Sequence, residues 1–524
     1  MPDDKQIMLT ASEAEAAGIV DSAQASRNFE LLQSELGPHC LSDLLRTLLN
    51  ELSLSADPDL GLNNFERYVN ALSNNAQRLI TLCRVRSDIL HSLVTVLGAS
   101  RFLSSYLVNS AEDSLIFLED PEFLVLRAGE ELLFNRLAVL ISEVRDDAGF
   151  TRALRLFRKQ EMFRIGLRDL LGKADLQEIV GELSDLAEVC LKQAYQWVND
   201  GLRKLYGKPL IQYPDGMVTD AGFAIIAMGK LGGRELNFSS DVDLMYVYQA
   251  DGETRGVPSL DGKITNRITN HQYFIKLAEK VSAVIGQKTE DGFVFRVDLR
   301  LRPEGQHGPL AQSLGGYEIY YESWGQTWER SALIKARPVA GDEAVGREFL
   351  DRIAPFVYRK YLDYGAIAEI REMKHKINKD VEQKGKTYRD VKLGYGGIRE
   401  IEFVIQALQL IYSGKDQSLR EKNALKALHT LSQKGLITYQ EHEILAKAYV
   451  FLRTVEHRIQ IVDDLQTQTL PVDERELRSL ARRMGYLVRG RETELLLRDY
   501  GDHTRKVRSI YDNMFSFTGE GQEP

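Results

Sequence analysis

Residues 223–248 read Phe-Ala-Ile-Ile-Ala-Met-Gly-Lys-Leu-Gly-Gly-Arg-Glu-Leu-Asn-Phe-Ser-Ser-Asp-Val-Asp-Leu-Met-Tyr-Val-Tyr. Its two ends, 223–228 and 243–248, are short apolar runs with the length and composition of buried strands. Between them a glycine-rich, cationic turn leads into two aspartates one residue apart. Successive strand side chains point to opposite faces, so Asp241 and Asp243 are expected on the same side. Two carboxylates at that spacing can share divalent cations. Gly232, Gly233, Ser239 and Ser240 let backbone N–H groups approach a phosphate.

Working outward, residues 250–265 read as an exposed loop and 267–286 as a helix. The run from Phe293 to Arg300 alternates as a further strand and carries Asp298. Strand–helix–strand order with carboxylates on two strands suits a small mixed sheet flanked by helices, an α+β architecture. Upstream, apolar positions recur at helical spacing from about 25 to 206. The clearest stripe is Ile179, Leu183, Leu186, Cys190, Leu191, Ala194, Val198, Leu202 and Leu205, stopped by Gly207 and Pro209. Beyond 345, helices are expected at 398–412, 424–434 and 439–461, with short connections that indicate a bundle. The predicted organisation is a flexible N-terminus (1–24), a helical region (25–210), a catalytic domain (211–345), a helical bundle (346–518) and a disordered tail (519–524).

Asp298 on a neighbouring strand completes a three-aspartate set for two metal ions, which would stabilise the attacking and leaving oxygens of an in-line displacement. Mg²⁺ is favoured over zinc because every proposed ligand is a hard oxygen. The bland alternative has Asp241 and Asp243 capping a turn and Asp298 pairing with Arg300. Arg300, Arg302 and Lys335, together with Arg330 and Arg337, form a cationic cluster fit for a nucleotide tail or inorganic phosphate. A regular strand would place Arg296, Arg300 and Arg302 on the Asp298 face. Trp324 and Trp328, four apart, read as core positions of a helix. Lys392-Leu-Gly-Tyr-Gly-Gly397 opens a helix whose N-terminus is an anion site. Glu400 and Glu402 just beyond cannot share one face, so one is expected at the site and the other in solvent.

With 67 basic and 76 acidic residues the chain carries a net charge of −9, which does not support a broad nucleic-acid footprint. Cys40, Cys83 and Cys190 form neither a disulfide framework nor a zinc pair. No apolar run approaches the ~18–20 residues needed to cross a bilayer, and no signal peptide opens the chain, so a cytoplasmic location is expected. Walker A, dinucleotide-fold, His-Glu-x-x-His and nucleophile-elbow motifs are absent.

Residues 229–244 resemble the signature of the glutamine synthetase adenylyltransferase family, within the polymerase-β-like nucleotidyltransferase superfamily. The resemblance continues through Arg296–Pro303, Trp328-Glu-Arg330, Lys335-Ala-Arg337, Lys392–Phe403, Leu452–Arg458 and Gln466–Pro471, spanning roughly residues 80–515. It implies a nucleotidyltransferase palm. Family members are typically twice this length, with an N-terminal half that removes AMP from a tyrosine of glutamine synthetase and a C-terminal half that attaches it. Asn237-Phe-Ser-Ser-Asp241 and Gly396-Gly-Ile-Arg-Glu400 are closer to the deadenylylating half. The implied reaction is Mg²⁺-dependent phosphorolysis, inorganic phosphate attacking the AMP phosphorus to give ADP. Asp241, Asp243 and Asp298 would be the metal ligands, Gly232, Gly233 and Ser240 would line the AMP phosphate, and Arg300, Arg302 or Lys335 would position the attacking phosphate. The alternatives are ATP-dependent adenylylation on the same fold, or a non-catalytic module that binds glutamine synthetase or the PII signal protein. The resemblance also implies control by PII.

Overall fold

The computed structural model describes residues 9–120, 122–123, 126–360, 372, 379 and 388–516; the expected disordered tail lies outside them. Strands β1 (Phe223–Ala227) and β2 (Val242–Tyr248) pair antiparallel at the centre of a five-stranded sheet. On one side of β2, β3 (Val297–Asp298) runs parallel beside its start and β4 (Ala311–Ser313) parallel beside its end. On the other side of β1 lies β5 (Arg337–Gly341), antiparallel to it.

Period-two alternation gives each central strand two buried faces. Phe223, Ile225, Val242, Leu244 and Tyr246 join a core shared with the N-terminal helices, which include α1 (Asp147–Leu170) and α2 (Leu176–Tyr206). Ala224, Ile226, Met245 and Val247 join a second core, shared with α3 (Ile398–Tyr412), α4 (Tyr439–Gln460) and α5 (Glu492–Ser516). The mixed sheet is thus a middle layer between two helical layers. Helix α2 ends at Gly207, whose φ of +72° and close approach to the Gly256 carbonyl leave no room for a side chain.

Three expectations give way. Residues 9–24, expected to be flexible, are built into the fold. Thr10 and Glu13 form a capping box on the helix Ala11–Ala16, Ala14, Ala17 and Ile19 are buried, and the Asp59 carboxylate accepts from the Val20 and Asp21 amides. The strand expected from Phe293 to Arg300 is only β3. The Val294 and Phe295 amides are drawn to the Ile285 carbonyl, and the Arg300 amide donates to Asp298 Oδ1 at 2.8 Å, an Asx turn that ends the strand. Trp324 and Trp328 are 71% and 47% exposed rather than core. One closes the helix Leu314–Ser323 and the other begins the helix Thr327–Leu333, so their spacing never falls on a single face.

The sheet's two neighbours also meet directly. Arg458 of α4 pairs with Asp169 of α1, and the adjacent His457 is buried edge-on against Phe238, 3.4 Å from Asp169. Burial pushes the His457 pKa down to about 4 from 6.5; Asp169 and Glu456 oppose this shift, while Arg458 and Arg453 add to it. The unfolded chain binds the proton first, so stability falls as pH drops from 6.5 towards 4, by roughly 3 kcal/mol from this residue. Thermal unfolding at pH 7 and pH 5 should show a lower midpoint at pH 5, and His457→Gln should flatten that slope.

Candidate active site

Asp243 and Asp298 face each other across β2 and β3 as register partners in the parallel pair. Asp241 lies two residues before Asp243, just ahead of β2, and the cleft of about 520 Å³ beside it is lined by Asp241, Arg296, Asp298, Arg300 and Gln466. Asp243 is the most sheltered of the three carboxylates. Burial, then Asp298 and then Asp241 push its pKa up to about 6, with Lys392 and Arg300 acting in the opposite sense. Asp298 behaves differently, because its hydrogen bonds to Arg300 hold it below the ordinary carboxylate range. Asp241 is gripped on both oxygens, by Arg296 Nε at 2.8 Å and Gln466 Nε2 at 2.9 Å.

The glycine turn serves this arrangement sterically. Gly229 has φ +54°, and a Cβ there would stand 2.3 Å from Asp243 Oδ2, so the chain can pass the carboxylate only as glycine. The proposed phosphate cradle differs from expectation. The Gly232 and Gly233 amides close a short helical turn onto Met228 and Gly229 carbonyls; the Ser239 amide donates to Gln460 and the Ser240 amide to the Asn237 carbonyl. These four N–H groups already have partners within the protein, because the turn folds on itself instead of opening a nest. The Ser239 hydroxyl accepts from Arg296 and that of Ser240 from the Asn237 amide.

Most of the expected cationic cluster is structural. Lys335 lies between Glu235 (2.7 Å) and Glu402 (3.0 Å), and although burial opposes its charge, the two carboxylates outweigh it and raise its pKa. Arg302 donates to the carbonyls of Leu299, Gln306 and Gly308, shaping the loop after β3. Arg337 pairs with Glu188 of α2 and caps the Gly232 carbonyl; Arg330, buried on its helix, donates to the Val357 carbonyl. Glu400 and Glu402 correct the expectation of one solvated partner: Glu400 pairs with Arg508 and caps the Gly396 amide, while Glu402 holds Lys335. Besides Arg296 on Asp241, Arg300 and Lys392 stand by the aspartates among the described residues. Arg300 is bound to Asp298 with its side chain 68% exposed. Lys392 acts electrostatically on Asp243, Glu402 and Glu456, and no ion pair engages its ammonium among the described residues.

Behind the turn runs a buried ionic chain that local sequence reasoning missed. Lys230 meets both oxygens of Glu456 at 3.0 and 3.1 Å. Asn237 donates to Glu456 and accepts from Arg453, which also reaches the Glu235 carbonyl. Through Lys335 the chain continues to Glu402, so the turn is bolted to both α3 and α4. Arg296 and Gln466 were also missed as aspartate partners; Gln466 is 225 residues from Asp241, and only its place in a family motif singled it out.

The donor set fits a hard cation. Asp243 is a sheltered carboxylate flanked by two others, an arrangement a divalent cation neutralises. Among the described residues no three acidic, His or Cys side chains converge as a ready-made cage.

A protein-family model described as glutamate-ammonia ligase adenylyltransferase matches residues 90–352. The chain belongs to that family. A second model, GlnD PII-uridylyltransferase, matches residues 371–515. Relatives named bifunctional glutamine synthetase adenylyltransferase/adenylyl-removing enzyme include one from Thioalkalivibrio sulfidiphilus, 41% identical over 82% of this chain and 43% of its own length. Another, from Nitrosococcus oceani, is 39% identical over 87% of this chain and 45% of its own. A third, from Pseudomonas aeruginosa, is 41% identical over 75% of this chain and 39% of its own. The chain thus spans less than half the length of these adenylyltransferase relatives. Among the described residues no helix is long and apolar enough to cross a membrane.

The role assigned to Lys335 is directly testable. Lys335→Met leaves Glu235 and Glu402 buried without their cation, which should cost about 3–5 kcal/mol and lower the urea midpoint. A Lys335→Met protein as stable as wild type would return this lysine to the anion-binding set.

Proposed function

We propose that the chain is a Mg²⁺-dependent nucleotidyltransferase that removes AMP from adenylyl-tyrosine on glutamine synthetase by phosphorolysis. The observation that carries this reading is the carboxylate cluster at the cleft, which Asp241 and Asp298 line and where Asp243 lies in register with Asp298, in a chain of the adenylyltransferase family. Asp241, Asp243 and Asp298 would hold the cations. When bound, such ions neutralise phosphoryl oxygens and ease charge onto the attacking and leaving oxygens. The direction rests on Asn237-Phe-Ser-Ser-Asp241 and Gly396-Gly-Ile-Arg-Glu400, which resemble the deadenylylating half.

In this reading an oxygen of inorganic phosphate forms a bond to the AMP phosphorus, the phosphorus–tyrosyl oxygen bond breaks, and ADP and tyrosine leave. The tyrosyl oxygen takes its proton from solvent, being a comparatively acidic leaving group. Lys392 and Arg300, the cations left beside the aspartates, draw in the attacking phosphate. Positioning and charge stabilisation carry the rate, with no covalent step on the protein. The relatives' names cover both directions, so adenylylation from ATP by the same cleft is the second reading. The PII-uridylyltransferase likeness of residues 371–515 supports PII as a regulatory partner.

Incubation with adenylylated glutamine synthetase and phosphate should release ADP, and Asp243→Asn should slow that release by more than about 10²-fold. Lys392→Ala should raise the KM for phosphate more than it lowers kcat. Pyrophosphate release from ATP and unmodified synthetase, with no ADP in the first assay, would reverse the direction. Normal turnover by Asp243→Asn would take Asp243 out of the catalytic set, and a wild-type chain that turns over in neither assay would remove the enzyme reading.

A further inference from the structure

We infer that Gln466 is a positioning residue for Asp241, delivered to the cleft from the chain beyond α4. The inference rests on the divalent-cation reading proposed above. The Gln466 amide donates to Asp241 Oδ2 at 2.9 Å while Arg296 Nε donates to Oδ1 at 2.8 Å. A carboxylate offers about four lone-pair directions, so the two donors fix the plane of the group and leave directions open to a cation. Arg296 alone would not do so, because its Nη2 is engaged by the Ser239 carbonyl and hydroxyl and its Nε reaches only one oxygen of the aspartate.

Gln466 is solvent-exposed, and an exposed amide on a loose loop would carry little weight. The segment bearing it is fastened on both sides. Before it, the Ile461 carbonyl accepts from Ser100 Oγ at 2.6 Å and the Val462 carbonyl from the Phe102 amide at 3.0 Å. Asp463 pairs with Arg101 through bonds of 2.7 and 2.6 Å, and Asp464 with the buried Arg158 at 2.9 Å. After it, the Gln468 carbonyl accepts from the Val391 amide and the Leu470 amide donates to the Arg389 carbonyl, each at 2.9 Å. The exposed tip 465–467 is therefore a short span between fixed points. Those points belong to the N-terminal helices on one side and to the stretch leading into Lys392 on the other. Gln466 consequently sets the Asp241 carboxylate relative to both helical layers.

Hydrogen-bond partners of metal-binding side chains typically contribute 10–100-fold to metal affinity, and exposure places Gln466 near the lower figure. The test is direct Mn²⁺ binding, followed by electron paramagnetic resonance, on wild type, Gln466→Ala and Gln466→Met, with urea unfolding of each. Both variants should bind Mn²⁺ about tenfold more weakly with an unchanged unfolding midpoint, and excess Mg²⁺ should restore their phosphorolysis rate. Equal Mn²⁺ affinity in wild type and both variants overturns the inference and leaves the metal reading standing. Retention of affinity by Gln466→Met alone also overturns it, because packing rather than the amide would then be responsible. A wild-type protein that binds no Mn²⁺ removes the metal reading itself, and the inference with it.

Discussion

A partly buried carboxylate wedged between two others is the constraint around which this molecule is arranged. Asp243 sits opposite Asp298 in a parallel register and two residues from Asp241, and burial together with those neighbours pushes its pKa up to about 6. Like charges so close in a sheltered place are unfavourable unless something compensates them. The outer two are compensated by arginines, Asp241 by Arg296 and Asp298 by Arg300, and Gln466 adds a hydrogen bond to Asp241. Among the described residues no ion pair is made to Asp243, which has the fields of Lys392 and Arg300. A site whose innermost carboxylate lacks a direct cationic partner is suited to a bound cation.

Support for that site comes from the ionic chain behind the glycine turn. Lys230, Glu456, Asn237, Arg453, Glu235, Lys335 and Glu402 join the turn to α3 and α4 in a largely buried layer. Buried ion pairs are poor contributors to net stability, because desolvation offsets much of their attraction. Their value here is geometric: a hydrophobic replacement of similar volume could pack as well without fixing where the turn lies. The same logic explains why Asn237 and Phe238 bear on direction only indirectly. Asn237 joins Glu456 to Arg453, and Phe238 packs between Phe102 and His457, so these residues shape the support of the turn and do not line the cleft.

The sheet and its two helical layers were legible because their signals are local. The apolar runs 223–228 and 243–248, the stripe ending at Gly207, and the periodicity of α3 and α4 each depend on residues near in sequence. The aspartate pair was legible for the same reason, and Asp298 followed from strand order. What the sequence concealed was pairing over long separations. Lys335 looked like a free cation because its partners, Glu235 and Glu402, lie 100 and 67 residues away. Arg302 seemed to share a face with Asp298 until the Asx turn at Arg300 ended the strand. Trp324 and Trp328 showed helical spacing across what is in fact a helix break.

The central claim is that Asp241, Asp243 and Asp298 form a divalent-cation site that acts on a phosphoryl group. Anomalous diffraction from crystals grown with Mn²⁺ and ADP tests it most directly. The account predicts anomalous density between the Asp243 and Asp298 carboxylates, in contact with a phosphate oxygen of ADP. Ordered ADP in the cleft with no anomalous density near any of the three aspartates would contradict it.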